Sequence, residues 1–184
     1  MHDNDTIITE TKNWITNVVV KCNFCPFAAR EVQRGSIHYE VQPDADLNQV
    51  LQYVANIFEK LNAEARIETA LLILPNGYAG FEPYLELVEL AQELLENEGY
   101  EGLYQLASFH PAYLFAGTSE SDPSNYTNRS PYPMLHFLRE ESVSFAIDSH
   151  PQIESVPENN ICFTQEKGIQ FMKELLASCH GKQS

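Results

Sequence analysis

A thiol beside a proline is the first feature of this sequence that could perform chemistry. Cys25 precedes Pro26, and a proline disfavours helical backbone at the residue before it but suits the first position of a helix. We therefore expect Cys25 to cap a helix over 26–34, where the positive helix end would favour a nucleophilic thiolate. The alternative is a buried cysteine that only packs between two helices.

A histidine ends an apolar segment in the tripeptide Phe109-His110-Pro111. Ligands of open α/β sheets gather beyond the carboxyl ends of strands, so the imidazole of His110 is placed to transfer a proton there. The alternative is a histidine that only satisfies neighbouring backbone carbonyls.

A lone guanidinium follows in a polar segment. No Lys or Arg occurs between Arg66 and Arg129, although that stretch contains ten acidic residues. With Asn128 and Ser130 beside it, Arg129 suits planar recognition of a carboxylate or a phosphate. The alternative is an ion pair with an acid such as Asp122.

The segment 133–141 is predicted to form a short helix that carries His136, Arg139 and Glu140. Residues three or four apart share a helix face, so these side chains would lie together. Such a group fits general acid–base catalysis or a histidine–carboxylate metal pair, and equally an ordinary surface hydrogen bond. We assign these residues a supporting role.

The cysteine spacing argues against metal and redox chemistry. Cys22 and Cys25 form a CxxC pair that closes one helix before another, whereas thioredoxin-like motifs open a helix after a strand. Structural zinc needs a second close pair, and Cys162 and Cys179 are too far apart in sequence. No glycine-rich nucleotide motif follows a predicted strand. We therefore expect no metal and no cofactor.

Periodicity predicts the elements that must position these groups. Apolar residues recur with helical spacing over 6–20, 47–61, 82–97 and 165–179, and strand patterns cover 36–41, 69–74 and 103–109. The polar segment 112–131 reads as a long loop that packs through its aromatic side chains. We predict one globular domain over 1–184, of α/β or α+β class, with helices packed as a sandwich on a sheet of about three or four strands.

Composition limits the partners. The chain has 184 residues and a formal net charge of −15, which repels nucleic acid backbones and anionic membranes. The acidic beginning of the sequence does not resemble a targeting signal, so we expect a cytoplasmic location with reduced cysteines. This composition is compatible with a homo-oligomer.

Several blocks resemble a bacterial protein family known only as a domain of unknown function. The blocks are Cys25-Pro26-Phe27, Phe109-His110-Pro111, Thr127-Asn128-Arg129-Ser130-Pro131 and the segment 136–140. The likeness runs over most of the chain and implies candidate positions rather than a reaction. It favours Cys25, His110 and Arg129, whereas Cys22 stands where the family has an aliphatic residue.

Together, these patterns predict an enzyme that acts on a small anionic molecule. The assigned residues are Cys25 and His110 for catalysis, Arg129, Asn128 and Ser130 for substrate binding, and His136, Arg139 and Glu140 for support. The alternative is a non-catalytic module that holds a small ligand or a peptide with the loop 112–131.

Overall fold

The computed structural model describes residues 3–149 and 153–181. Its strands are β1 (Ile37–Val41), β2 (Thr69–Ile73), β3 (Tyr104–Phe109) and β4 (Met134–Arg139). They form one sheet in the order β1-β2-β4-β3, in which β1 runs parallel to β2 and β4 runs antiparallel to both of its neighbours. The predicted class, helices packed on a small sheet of a mixed α and β protein, is confirmed.

The helices cover both faces of this sheet. They are α1 (Asn4–Trp14), the π-helix π1 (Ile15–Val20), α2 (Ala28–Arg34), α3 (Leu47–Ala63), α4 (Phe81–Asn97), α5 (Glu140–Ser149) and α6 (Val156–Ala177). Short 3₁₀ turns occupy Pro123–Thr127 and Ile153–Ser155. None of the helices in the described ranges combines the length and the apolar character that crossing a bilayer requires.

Helices α3 and α4 bury one face of the sheet. The capping box of α3 pairs the Asp46 side chain with the backbone N–H of Gln49, and the Gln49 side chain with the backbone N–H of Asp46. The apolar stripe of α3 then packs on the sheet, as the periodicity predicted. The Tyr84 hydroxyl of α4 donates to the Met134 carbonyl at 2.6 Å and accepts from the Phe109 N–H at 3.0 Å. This buried hydroxyl ties α4 to β3 and β4.

Helices α1, π1 and α6 cover part of the opposite face. In π1 the backbone hydrogen bonds join residues five positions apart. At its end, the N–H of Phe24 donates to the Val19 carbonyl at 2.9 Å. Helix α6 is interrupted at Gly168, whose φ of 77° is a conformation that side chains with a Cβ rarely adopt. The buried Glu10 carboxylate of α1 accepts bonds from the Tyr132 hydroxyl and from His180 and Gly181, which follow α6.

The helix predicted over 133–141 is wrong, because most of that segment forms the central strand β4. Its residues alternate between the two faces, with His136 and Leu138 lining a cavity on one side and Leu135 and Phe137 in the α3–α4 core on the other. This period of two is the strand signal. The spacing of the polar residues suggested a helix face that the strand does not have.

The helix predicted to begin at Pro26 is also wrong in its start. Helix α2 begins at Ala28, its N-cap is Phe27, and Cys25 lies in the preceding turn. The turn that follows π1 places Asn23 at a positive φ of 56° and continues to Phe27 before helical geometry resumes. Cys25 therefore does not cap the helix.

Candidate functional site

A cavity of about 340 Å³ lies between the sheet and the helices α1, π1, α2 and α5. Leu71, Ala107 and Phe109 of the sheet line one side, and Trp14 of α1 and Ala146 of α5 line others. The π-helix borders this cavity, and such rare turns are frequently found at functional sites. A concave, largely apolar space with a few polar groups is the usual form of a small-molecule site.

His136 is a cavity-lining residue with a fixed tautomer. Its Nε2 lies 2.7 Å from the hydroxyl oxygen of Thr69, and that hydroxyl donates its proton to the Phe137 carbonyl at 2.6 Å. The Thr69 oxygen must therefore accept from Nε2–H, which leaves Nδ1 without a proton. Nδ1 has no hydrogen-bond partner among the described residues, so it is a free acceptor on the cavity wall.

Burial keeps this imidazole neutral. Desolvation lowers the pKa of His136 to about 4, because the ring lies deep among protein atoms. Part of the ring borders the cavity, so the residue as a whole is half-buried. At neutral pH, His136 therefore acts as a hydrogen-bond acceptor or a base rather than as a cation.

Two carboxylates give the cavity a negative character. The Glu31 carboxylate is 9% exposed and accepts bonds from Arg30 Nε at 2.5 Å and the Ser36 hydroxyl at 2.6 Å. Glu68 also lines the cavity, and its Oε1 is buried without a hydrogen-bond partner in the described part of the chain. Arg30 pairs with one of these carboxylates, and the guanidinium of Arg139, which also lines the cavity, bonds to backbone carbonyls where α3 ends. The second carboxylate has no paired cation among the described residues, an arrangement that disfavours an anionic ligand.

Cys25 shares the cavity with His136 and is half-buried. Burial raises the pKa of Cys22, which Lys167 partly offsets, and burial raises the pKa of Cys179 to about 11. Cys162 is exposed on α6. Cys25 is therefore the cysteine placed to meet a molecule in the cavity.

The structure does not bring His110 to Cys25. The His110 ring packs against Phe81 and Tyr84 of α4, with ring centroids 5.2 and 4.9 Å away, on the face of the sheet opposite the cavity. Its Nδ1 accepts from the Ala112 N–H at 2.9 Å, so Nε2 carries the proton and donates to the Tyr78 carbonyl at 2.8 Å. Both ring nitrogens are occupied by backbone groups, and burial lowers the pKa of the ring.

Arg129 holds its own loop. Its guanidinium donates to the carbonyls of Tyr113 at 3.1 Å and Glu120 at 3.2 Å, and it lies over the ring of Tyr126. The Arg129 carbonyl accepts the indole N–H of Trp14 at 3.0 Å. The guanidinium thus stabilises backbone carbonyls, and no carboxylate of residues 3–149 or 153–181 forms the ion pair that the sequence left open.

The neighbours of Arg129 also bond within the fold. The Asn128 amide donates to the Ser108 carbonyl at 3.3 Å. The buried Ser130 hydroxyl donates to the Tyr132 carbonyl at 2.6 Å. These side chains order the loop 112–131 against the end of β3, so the expectation that this loop is packed is confirmed.

The helix face predicted for His136, Arg139 and Glu140 is wrong, because the first two point to opposite faces of β4. The Arg139 guanidinium donates to the carbonyls of Leu61 at 2.6 Å and Ile67 at 2.9 Å, where α3 ends. Glu140 is the first residue of α5. His136 and Arg139 both border the cavity, but the Arg139 guanidinium is held by those carbonyls, so His136 is the one of the three whose side chain can serve a ligand there.

Sequence reasoning missed several polar or aromatic residues of the cavity, among them Trp14, Glu31, Glu68 and Thr69. One available signal was the pair Glu68-Thr69, in which two polar residues directly precede the apolar run of β2. Within 3–149 and 153–181, no group of three or more His, Cys, Asp or Glu side chains could hold a metal ion.

Comparison with curated proteins and with solved structures finds no match to this chain. A family model described as a protein of unknown function, DUF1415, matches residues 6–174, which is most of the chain. The resemblance to an uncharacterised family is therefore confirmed, and the chain belongs to the DUF1415 family.

Proposed function

We propose that this protein binds a small, largely apolar molecule that carries a hydroxyl or amine donor, and that the donor bonds to Nδ1 of His136. The observation that supports this most directly is an unprotonated histidine nitrogen without a partner, on the wall of a largely apolar cavity of about 340 Å³. The wall around this acceptor is largely apolar, so a donor on the ligand would gain a hydrogen bond there that an apolar ligand cannot make.

The charges of the cavity favour a neutral or cationic ligand. Glu31 is matched by Arg30, while Glu68 keeps a buried oxygen without a partner among the described residues. A carboxylate or phosphate in this space would meet that negative charge and a neutral imidazole. The cavity therefore does not support the anionic substrate that the sequence suggested for Cys25, His110 and Arg129.

The test uses three probes of similar size that differ in one group: para-butylphenol, para-butylanisole and the para-butylbenzoate anion. We expect the phenol to bind about tenfold more tightly than the anisole, because only the phenol can donate to His136, and we expect the benzoate to bind least. Trp14 is the single tryptophan of the chain and lines the cavity, so its fluorescence reports binding. Thermal stabilisation by each probe supplies a second readout.

The matched control is His136→Leu, which removes the acceptor nitrogen and puts an apolar side chain in its place. In this variant the phenol and the anisole should bind equally. A preference for the phenol that survives in His136→Leu, or equal affinity of the unaltered protein for all three probes, contradicts the proposal.

A second candidate function, thiol catalysis, has a specific observation in its favour. Cys25 and His136 line the same cavity, and the free Nδ1 of His136 suits a group that accepts the thiol proton. In this version of the enzyme hypothesis, Cys25 is the nucleophile and His136 replaces His110 as the base. The molecule bound in the cavity would then be a substrate.

Occupation of the cavity is expected to protect Cys25 from iodoacetamide. With para-butylphenol at saturation, the alkylation rate of Cys25 should fall, while the rate of the exposed Cys162 stays unchanged as an internal control. Cys179 is buried, so it should not react in the native protein. Peptide mapping by mass spectrometry measures all rates in one sample. An unchanged Cys25 rate would place the probe elsewhere, and an inert Cys25 would remove it as a nucleophile.

We retain the cytoplasm as the proposed location. The four cysteines are free thiols, and free thiols persist in reducing compartments.

A further inference from the structure

A second cleft, of about 390 Å³, lies where α2 and α3 end beside the edge strand β1. Arg34, Lys60, Arg66 and His38 line it, and Glu64 is the one carboxylate among the described residues of its lining. The whole chain has 26 acidic and 11 basic residues. The cleft therefore has the opposite sign of charge from the protein as a whole.

The charges of this cleft are not balanced internally. Arg66 donates to the Glu64 carboxylate at 2.8 and 3.0 Å, and Lys60 Nζ lies 4.0 Å from the same carboxylate. The Arg34 guanidinium forms no hydrogen bond or ion pair with any residue in the described part of the chain. Three cations thus face one carboxylate, and a net positive charge remains.

The histidine of the cleft lies beside a second carboxylate. His38 Nε2 is buried and lies 3.4 Å from the Glu40 carboxylate, without the geometry of a hydrogen bond, and Glu40 is not itself a lining residue. Burial and the charge of Lys60 lower the pKa of His38, against the opposing effect of Glu40 and Glu64. The imidazole is therefore neutral at physiological pH and sensitive to any charge that enters the cleft.

We propose that this cleft binds the phosphate group of a small phosphorylated molecule, with the forked guanidinium of Arg34 as its main contact. Guanidinium groups recognise phosphate oxygens in pairs, and the space exceeds what a phosphate alone would fill. Arg34 and Lys60 also lie in the last turns of α2 and α3, where cations stabilise the helix ends. That role does not account for Arg66 and His38. The proposal is independent of the sheet cavity.

The experiment is a titration of the full chain with inorganic phosphate and with glycerol phosphate at constant ionic strength, followed by the ring-proton NMR signal of His38. The variant His38→Gln assigns that signal. We expect a saturable shift and a rise in the pKa of His38, because a bound anion stabilises its charged form. Arg34→Gln should weaken binding about tenfold. Lys173→Gln removes the same charge from an exposed position on α6 outside the cleft and should change nothing.

Each outcome decides between the explanations. Tighter binding of glycerol phosphate than of inorganic phosphate supports the proposal, whereas equal affinities overturn the phosphorylated molecule as the ligand. A shift that does not saturate, or equal losses in Arg34→Gln and Lys173→Gln, overturns the site in favour of general charge attraction. If Arg34→Gln fails to fold, Arg66→Gln carries the same expectation. If the variants are less stable to heat and the unaltered protein binds no anion, the proposal is overturned, and these cations only stabilise the helix ends.

Discussion

Replacing Asn125 with Ala is expected to lower the free energy of unfolding by about 3 kcal/mol, because it removes three hydrogen bonds of a fully buried side chain. The Asn125 Oδ1 accepts from the Phe115 N–H and the Thr118 hydroxyl, both at 2.9 Å, and its Nδ2 donates to the Ser119 carbonyl at 2.9 Å. Alanine leaves the Phe115 N–H and the Ser119 carbonyl without this partner, while the Thr118 hydroxyl keeps the Phe115 carbonyl as its acceptor. Urea unfolding at neutral pH measures the loss.

The matched control is Asn128→Ala in the same loop. Asn128 is half-buried, and its amide donates one long bond, 3.3 Å to the Ser108 carbonyl. Its Oδ1 accepts a second long bond, 3.2 Å from the Thr127 hydroxyl, which keeps the Ser124 carbonyl as an alternative acceptor. Removing the Asn128 amide should cost less than about 1 kcal/mol. Equal losses in the two variants, or an Asn125→Ala protein as stable as the unaltered chain, would show that the amide of Asn125 does not organise the loop.

Acidification is expected to destabilise the protein through His136 by about 3 kcal/mol between neutral pH and pH 4. The folded state holds the pKa of His136 at about 4, below the value of 6.5 in an unfolded chain. Between these values the unfolded chain binds the proton and the folded chain does not, so stability rises with pH across this window. Urea unfolding at a series of pH values gives the slope.

The His136→Leu variant isolates this contribution. Burial also lowers the pKa of His38 and His110, so the unaltered protein sums several effects in one direction. Glu10 affects stability at a lower pH than these histidines. Burial alone would raise the pKa of its carboxyl, but the hydrogen bonds from Tyr132, Gly181 and His180 bring that pKa below 4.5. Its stabilisation is therefore lost only as the pH falls below about 4.5. A slope above that pH that is the same in the variant would contradict the assignment to His136.

Local periodicity was enough to predict most elements of the fold. The apolar run of β2 and the broad stripes of α3 and α4 are long or regular, and the structure confirms them. Strand β4 was missed because its six residues carry His136 and Arg139 at positions that also fit a helix. A short segment of this kind is decided by its neighbours, and no local pattern states that β4 will lie between β2 and β3.

The candidate site shows the same limit. The sequence identified Cys25 and His136 separately, but not as two residues of one cavity. Thr69 sets the tautomer of His136 across a strand pair whose members are far apart in the chain. His110 and Arg129 are an isolated imidazole and an isolated guanidinium in the sequence, which favoured a functional role. In the structure both hydrogen-bond to backbone groups that only the folded loop brings near.

The position of β4 at the centre of the sheet has a consequence for the order of folding. Strands β2 and β4 pair residues that are more than sixty positions apart, and in the described sheet β3 has no neighbour other than β4. During synthesis, β2 can at first pair only with β1. The backbone groups on its other edge stay unpaired until β4, which ends at residue 139, has left the ribosome. Long-range pairing slows folding and leaves unpaired strand edges open to association. The nascent chain is therefore most prone to aggregate before its last strand is made.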